Sequence, residues 1–124
     1  MTYLIKTEDK SMNRDLTLFP EDNVGNALWQ MMIDGDDLNQ AREIEFSVIF
    51  SNEEAALKFG QLLLENNQKL SFSPYEENPD FPWEITAYPY VAASHENISS
   101  YQNLLVSSAE PLGGQYDGFY CAAV

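Results

Sequence analysis

An alternation of apolar and polar residues runs through residues 43–50, and it constrains the fold more strongly than any other feature of the chain. Four apolar side chains stand at every second position: Ile44, Phe46, Val48 and Phe50. They alternate with Glu43, Glu45 and Ser47. A period of two is typical of a β-strand that buries one face and exposes the other. Residues 43–50 are therefore predicted to form a strand with one side packed against a core.

A helical pattern begins immediately after this strand. Ser51 and Glu54 stand three residues apart, as the two partners of a capping box do, so a helix is predicted to begin there. It is expected to run to about Glu65. One side of it carries apolar residues at helical spacing: Ala55, Ala56, Phe59, Leu62 and Leu63.

Two further helices are predicted, one on each side of this unit. The first covers residues 22–34, with Gly35 as its stop. Its buried face is expected to carry Val24, Leu28, Met31 and Met32. The last helix is expected to use Ser94 as its cap. The apolar residues that it directs inward are Ile98, Tyr101, Leu104 and Leu105.

Three further strands complete the pattern. Residues 69–75 are predicted to form one strand, with Leu70 and Phe72 facing inward. Residues 83–88 alternate in the same way, and Pro89 is expected to end or confine that strand. Residues 115–121 form the last strand, which Gly118 interrupts as a bulge.

The order of elements after the first helix is β-α-β-β-α-β. This is the split βαβ pattern of a ferredoxin-like sandwich, an α+β fold with an antiparallel sheet and two helices on one face. The additional N-terminal helix is expected to pack at an edge or end of that sheet. We expect residues 20–124 to form a single domain after an N-terminal extension over residues 1–19. Within the extension, Tyr3, Leu4 and Ile5 are predicted to form a short strand and residues 16–19 an extended segment.

The charges of the chain are unevenly divided and favour a cationic partner. Asp and Glu number 20 against six Lys and Arg, which gives a formal net charge of −14, and no Lys or Arg follows Lys69. Such a chain repels phosphate groups and attracts Lys-rich or Arg-rich protein segments, so direct binding of nucleic acid is disfavoured. The alternating aromatic residues, Phe46 and Phe50 among them, are accordingly assigned to the core and not to an RNA-stacking surface.

The sequence shows no pattern of secretion or of membrane insertion. Its first residues lack a basic region followed by a long apolar run, and no stretch approaches the roughly 18 apolar residues of a membrane span. Cys121 is the single cysteine, so no internal disulfide is expected. These observations favour a soluble cytoplasmic protein and leave its oligomeric state open.

One segment has the outline of a calcium loop. Asp34, Asp36 and Glu45 fall at positions one, three and twelve of such a loop. Leu38 occupies a ligand position without a side-chain oxygen, and Asn39 stands where the turn needs glycine. The segment is therefore interpreted as a solvated helix-to-strand turn, and no metal is predicted.

The remaining candidates for chemistry are also interpreted as structural. His95 has no evident nucleophile or orienting partner nearby in the sequence. Cys121 lacks a second cysteine and a basic neighbour along the chain. The glycine-rich residues 113–118 lack the lysine of a phosphate-binding loop and are expected to form a tight turn and a strand bulge. We therefore predict no catalytic residue and no cofactor.

Three segments of the chain resemble parts of one protein family. They are residues 110–121, which contain the Tyr-Asp-Gly-aromatic motif at 116–119, residues 32–38 followed by residues 42–46, which run from the first helix through a turn into a strand, and residues 51–56 at the start of the second helix. In their order and spacing they are similar to the regulator of ribonuclease E activity B family, over roughly residues 20–121. The resemblance implies a ferredoxin-like fold. It also implies a protein that inhibits or modulates a ribonuclease E-type endoribonuclease by binding it, without chemistry of its own.

The leading hypothesis is a non-enzymatic regulator of RNA decay whose acidic surface binds a basic region of such a ribonuclease. The residues predicted to contact the partner are Asp34, Asp36, Asp37, Glu43, Glu45 and Asp117. A second hypothesis is an acidic interaction protein of another kind, such as an immunity protein for a basic toxin. A third is a small enzyme or metal-binding protein, which titration with metal ions would detect.

Overall fold

The computed structural model describes residues 13–124. Within this part of the chain the elements follow in the order α1 (Asn23–Ile33), β1 (Ala41–Glu43), β2 (Glu45–Phe50), α2 (Glu53–Glu65), β3 (Leu70–Pro74), β4 (Trp83–Ala87), β5 (Tyr90–Ala92), α3 (His95–Ala109) and β6 (Gln115–Tyr120). A short 3-10 helix, Glu110–Leu112, follows α3. The strand predicted at Tyr3, Leu4 and Ile5 lies outside the described residues.

Four strands form an antiparallel sheet in the order β3-β4-β2-β6. Val48 of β2 lies opposite Ile85 of β4, and Phe46 lies opposite Phe119 of β6. Helix α2 connects β2 to β3, and β4 lies between these two strands in the sheet. The segment of β5 and α3 connects β4 to β6, with β2 between them, which gives the split βαβ arrangement. The predicted α+β, ferredoxin-like fold with an additional N-terminal helix is confirmed.

The two-stranded sheet of β1 and β5 is an addition that the sequence pattern does not predict. Its register places Arg42 opposite Val91. The N–H of Ile44 donates to the carbonyl oxygen of Pro89 at 3.0 Å. The strand predicted over residues 43–50 therefore begins earlier, at Ala41, and is divided at Ile44 between two sheets. Pro89 separates β4 from β5. Tyr90–Ala92 is again extended because it pairs with β1.

The core lies between the helices and one face of the four-stranded sheet, where Phe46, Phe50 and Phe59 are fully buried. Four side chains predicted to face inward are instead between 37% and 55% exposed: Met32, Leu62, Phe72 and Leu104. Met32, Leu62 and Leu104 lie at the margins of their helices' buried faces, which are narrower than the apolar pattern of the sequence indicates. Phe72 lies on the edge strand β3, where its ring stacks on that of Trp83 with centroids 5.5 Å apart.

The segment before α1 folds as a turn against the core. The N–H groups of Leu18 and Phe19 both donate to the carbonyl oxygen of Asp15, at 3.1 and 2.7 Å, so the prediction that residues 16–19 are extended is wrong. Phe19 is buried. The guanidinium of Arg14 donates to the carbonyl oxygens of Phe19 and Pro20. Residues 14–19 therefore contribute to the folded unit, although they fall within the predicted N-terminal extension.

Helix α2 begins one residue later than the capping-box pattern predicts. Its N-cap is Asn52, whose side-chain oxygen accepts the N–H of Ala55 at 2.7 Å. Replacement of Asn52 by alanine is expected to lower the free energy of unfolding by about 1 kcal/mol, because that N–H loses its partner. Ser51→Ala should change it by less than about 0.5 kcal/mol. Urea denaturation measures both values, and equal losses would contradict the assignment of Asn52 as the cap.

Candidate functional site

The sheet face that does not contribute to the core carries a cluster of acidic and hydroxyl side chains. Because Phe46, Val48 and Phe50 point into the core, the alternate residues of β2 point the other way. We call this surface the open face and define it by the residues Glu45, Ser47, Glu84, Thr86, Asp117 and Tyr120. They line a shallow depression of about 250 Å³. The open face is thus drawn from the three strands β2, β4 and β6.

The open face holds three carboxylates, and hydroxyl donors hold two of them in place. The hydroxyl of Ser47 donates to Glu84, and the hydroxyl of Tyr75 donates to Asp117 at 2.8 Å. The hydrogen bond to Asp117 is the largest of the effects that raise the pKa of Tyr75 to about 12. Among residues 13–124, no Lys, Arg or His forms an ion pair with Glu45, Glu84 or Asp117. These carboxylates therefore present negative charge to solvent.

A glycine bulge in β6 sets the position of Asp117. Ser47 lies opposite Gly118 and Val48 lies opposite Tyr116, so Asp117 is an extra residue in the pairing with β2. Gly118 has a φ of 120°, a conformation that residues with a Cβ atom rarely adopt. The bulge and glycine turn predicted from residues 113–118 are confirmed. The bulge is what allows Asp117 to lie on the open face beside Glu45 and Glu84.

The sequence-predicted contact residues do not form one surface. Glu45 and Asp117 both lie on the open face, where they line the same depression. Glu43 pairs with Lys69 at 2.6 Å, at an exposed position. Asp34 and Asp37 lie in the turn after α1, where Asp34 accepts a hydrogen bond from Gln30 and Asp37 accepts the N–H of Asn39. Sequence reasoning missed Glu84, because the alternation in β4 turns it outward but does not reveal that β4 pairs with β2.

The carboxylate of Asp36 is held inside the fold by Arg42. Nη1 of Arg42 donates to Oδ2 of Asp36 and Nη2 donates to Oδ1, each at 2.9 Å. The side chains of Arg42 and Asp36 are only 6% and 2% exposed. Hydrogen bonds from Arg42 lower the pKa of Asp36 more than burial raises it. Arg42 also donates to the carbonyl oxygens of Gln40, Asp37 and Ala122. This arrangement joins the turn after α1 to the segment after β6.

Cys121 lies beside the same guanidinium. Its sulfur is 4.0 Å from Arg42 Nη1, so the cysteine has a basic neighbour that the linear sequence does not reveal. Burial nevertheless raises the pKa of the thiol, and this effect exceeds the lowering by Arg42. A thiol that is held protonated is a weak nucleophile. The geometry therefore agrees with a structural role for Cys121.

His95 connects two helices through a carboxylate. Its Nε2 lies 2.8 Å from Oδ2 of Asp22, while Oδ1 of Asp22 accepts the N–H of Gly25 as the cap of α1. The Ser99 hydroxyl lies 3.4 and 3.5 Å from the two ring nitrogens. A nucleophile–base–acid triad needs the serine and the carboxylate on opposite ring nitrogens with close contacts. Asp22, His95 and Ser99 lack that arrangement and serve to join α1 to α3.

The calcium interpretation finds no support in the geometry. Arg42 occupies both oxygens of Asp36, and Glu45 lies on the open face. Within residues 13–124, no three His, Cys, Asp or Glu side chains are grouped closely enough to hold a metal ion.

No helix in the same part of the chain is long and apolar enough to cross a membrane.

Comparison with known proteins identifies a family that fits this architecture. The family model described as "Regulator of ribonuclease activity B" matches residues 21–121 of the chain. The matched region begins just before α1 and ends just after β6, so it includes the whole of the four-stranded sheet and its open face. No curated protein matches the chain.

Proposed function

The chain belongs to the regulator of ribonuclease activity B family, and we propose that it regulates a ribonuclease E-type endoribonuclease by binding it directly. In this proposal the chain catalyses no reaction, and it changes RNA decay through its contact with the enzyme. The single observation that supports a binding mode is the open face, where one sheet carries three carboxylates that form no ion pair within residues 13–124. A basic surface of the ribonuclease is the partner that this charge favours.

The charge of the chain supports a protein partner over an RNA partner. Ribonucleases bind their substrate through Lys and Arg side chains that neutralise phosphates. The open face presents Glu45, Glu84 and Asp117, which attract the same Lys and Arg side chains and repel RNA. An acidic regulator of this kind opposes RNA binding when it covers the basic surface that RNA uses. The net charge of −14 steers the encounter in the same direction.

We propose Glu45, Asp117 and Glu84 as the principal contacts with the partner. Asp34 and Asp37 in the turn after α1 and Glu43 on β1 are also exposed, and we keep them as further candidate contacts. We leave Asp36 out of the proposed contact surface, because its carboxylate is buried against Arg42 and presents little charge to a partner. A partner that broke this buried pair would also destabilise the fold.

The binding step can be tested with the purified chain and a purified ribonuclease E-type endoribonuclease. Calorimetric titration should show a complex at about 50 mM salt that weakens strongly by about 300 mM, since exposed charges are screened at the higher concentration. A labelled RNA mixed with the chain alone should not shift in a native gel. A missing complex at low salt, or a shift of RNA by the chain alone, would contradict the proposal.

A further inference from the structure

Strand β6 forms an edge of the four-stranded sheet. It pairs with β2 on its inner side, and in residues 13–124 no backbone hydrogen bond reaches its outer side. An unpaired edge strand presents N–H and C=O groups to which an extended peptide can add as a further strand. The opposite edge, β3, is less suited, because Pro74 lacks an N–H and Lys69 lies next to the strand.

A groove runs beside β6 on the side of the helices. Its volume is about 620 Å³, and it is lined by the start of α1, by α3 and by the strand itself. Polar side chains dominate the helical walls: Asp22, Asn23, Ser99, Gln102 and Asn103. Tyr116 also lines it, and in the described part of the chain the hydroxyl of Tyr116 is shielded from solvent without a hydrogen-bond partner. Such a hydroxyl costs stability until a partner satisfies it.

The other side of β6 borders the open face. Asp117 and Tyr120 of this strand lie there beside Glu45 of the neighbouring strand. Successive side chains of an extended peptide point to opposite faces of a sheet. A peptide added at β6 would therefore direct one set of alternate side chains into the groove and the other set over the carboxylates.

We propose that β6 is a docking edge at which an extended segment of the partner protein, with Lys or Arg at every second position, adds as a fifth strand. Its basic side chains lie over the open face, and its intervening side chains enter the groove between α1 and α3. Backbone hydrogen bonds to β6 supply affinity, and the two rows of side chains supply specificity. The inference deepens the proposed function and rests on it only for the identity of the partner.

The test uses the full chain and synthetic peptides of eight residues. One peptide alternates Lys and Thr, whose hydroxyl suits the polar walls of the groove, and a second places the same residues in two blocks. Fluorescence anisotropy should show that the alternating peptide binds about tenfold or more tightly than the block peptide. Equal binding of the two would overturn the proposal, because charge alone would then explain it.

Backbone methylation distinguishes strand addition from charge attraction more sharply. In an extended peptide the N–H groups of alternate residues point to opposite edges. N-methylation of the Lys residues or of the Thr residues should therefore abolish binding in one of the two peptides and leave the other nearly unchanged. Retained binding by both methylated peptides would overturn the proposal.

Hydrogen exchange and a groove variant place the peptide at β6. Exchange at the outward-facing amides of Gln115–Tyr120 should slow when the alternating peptide is added, with no change in β3. Protection of these amides in the free chain would overturn the proposal, since the edge would already be paired. Gln102→Trp should fill the groove and weaken peptide binding, whereas Gln61→Trp on the exposed side of α2 should not. Equal binding by the two variants would remove the groove from the proposal.

These results separate the inference from the proposed function. If the ribonuclease binds the chain but no peptide docks at β6, strand addition is contradicted and the proposed function is not. A peptide that docks at β6 while the ribonuclease neither binds nor changes activity would remove the ribonuclease partner alone.

Discussion

Replacement of Arg42 by alanine is expected to lower the free energy of unfolding by about 3–5 kcal/mol, a larger loss than at any surface charge of the chain. The change leaves the carboxylate of Asp36 buried without its counter-ion. It also removes the donor to three backbone carbonyl oxygens, which are those of Asp37, Gln40 and Ala122. The turn after α1 and the segment after β6 then lose their common anchor. Thermal unfolding should show a Tm lowered by roughly 10–20 °C.

The exposed pair of Lys69 and Glu43 provides the matched control. Its atoms lie closer, at 2.6 Å, but its side chains are 65% and 45% exposed. Lys69→Ala should lower the free energy of unfolding far less than Arg42→Ala does, because solvent screens the exposed pair in the folded protein. Losses of similar size in the two variants would show that burial does not decide the strength of the Arg42 pair.

The same pair predicts a dependence of stability on pH. Hydrogen bonds from Arg42 hold the pKa of Asp36 below its ordinary value, so folding favours the ionised carboxylate. The stabilisation is therefore fully present above the unfolded pKa of about 3.9 and is lost as pH falls through the lower folded value. The stability difference between the wild type and Asp36→Asn should therefore stay nearly constant from neutral pH down to about pH 5 and shrink below about pH 4. A difference that grows on acidification would contradict the assignment.

The second large effect is expected from neutralising the open face. The triple substitution Glu45→Gln, Glu84→Gln and Asp117→Asn keeps the size of each side chain and removes three negative charges. If each carboxylate contributes about 0.5–1 kcal/mol to an exposed contact, the complex with the ribonuclease should weaken by about tenfold or more. The remaining affinity should depend less on salt than that of the wild type. Calorimetric titration at two salt concentrations measures both effects.

A control with the same change in net charge isolates the position of the charges. Glu54→Gln, Glu65→Gln and Asp80→Asn remove three exposed carboxylates that lie on α2 and in the turn between β3 and β4. This variant should keep most of the wild-type affinity, since only long-range steering is reduced. Equal weakening in the two triple variants would show that net charge, and not the open face, governs the contact.

The sequence predicts the architecture well because its strands and helices carry clear periodicities. The alternation around Phe46 and the cap at Ser94 both appear where they were expected. Two of the errors occur where long-range pairing overrides the local pattern. The strand expected over residues 43–50 is divided because β1 pairs with β5, and Phe72 is exposed because β3 is an edge strand.

The candidate site is harder to predict than the fold for the same reason. Glu45 and Asp117 are 72 positions apart in the sequence. They lie on one surface only because β2 pairs with β6. Asp36 looks like a surface acid in the linear sequence, but its partner Arg42 buries it. The charge composition only favours a cationic partner, whereas the sheet order decides which carboxylates lie on the same surface.

The most direct test of the account measures RNA cleavage by a purified ribonuclease E-type endoribonuclease in the presence of the chain. The wild type and the control triple variant should reduce or redirect cleavage as their concentration rises, and the open-face triple variant should have a much weaker effect. Each protein is first shown to be folded by its thermal unfolding curve. Unchanged cleavage at concentrations that saturate binding, or equal effects of the two triple variants, would contradict the claim that the open face regulates the enzyme.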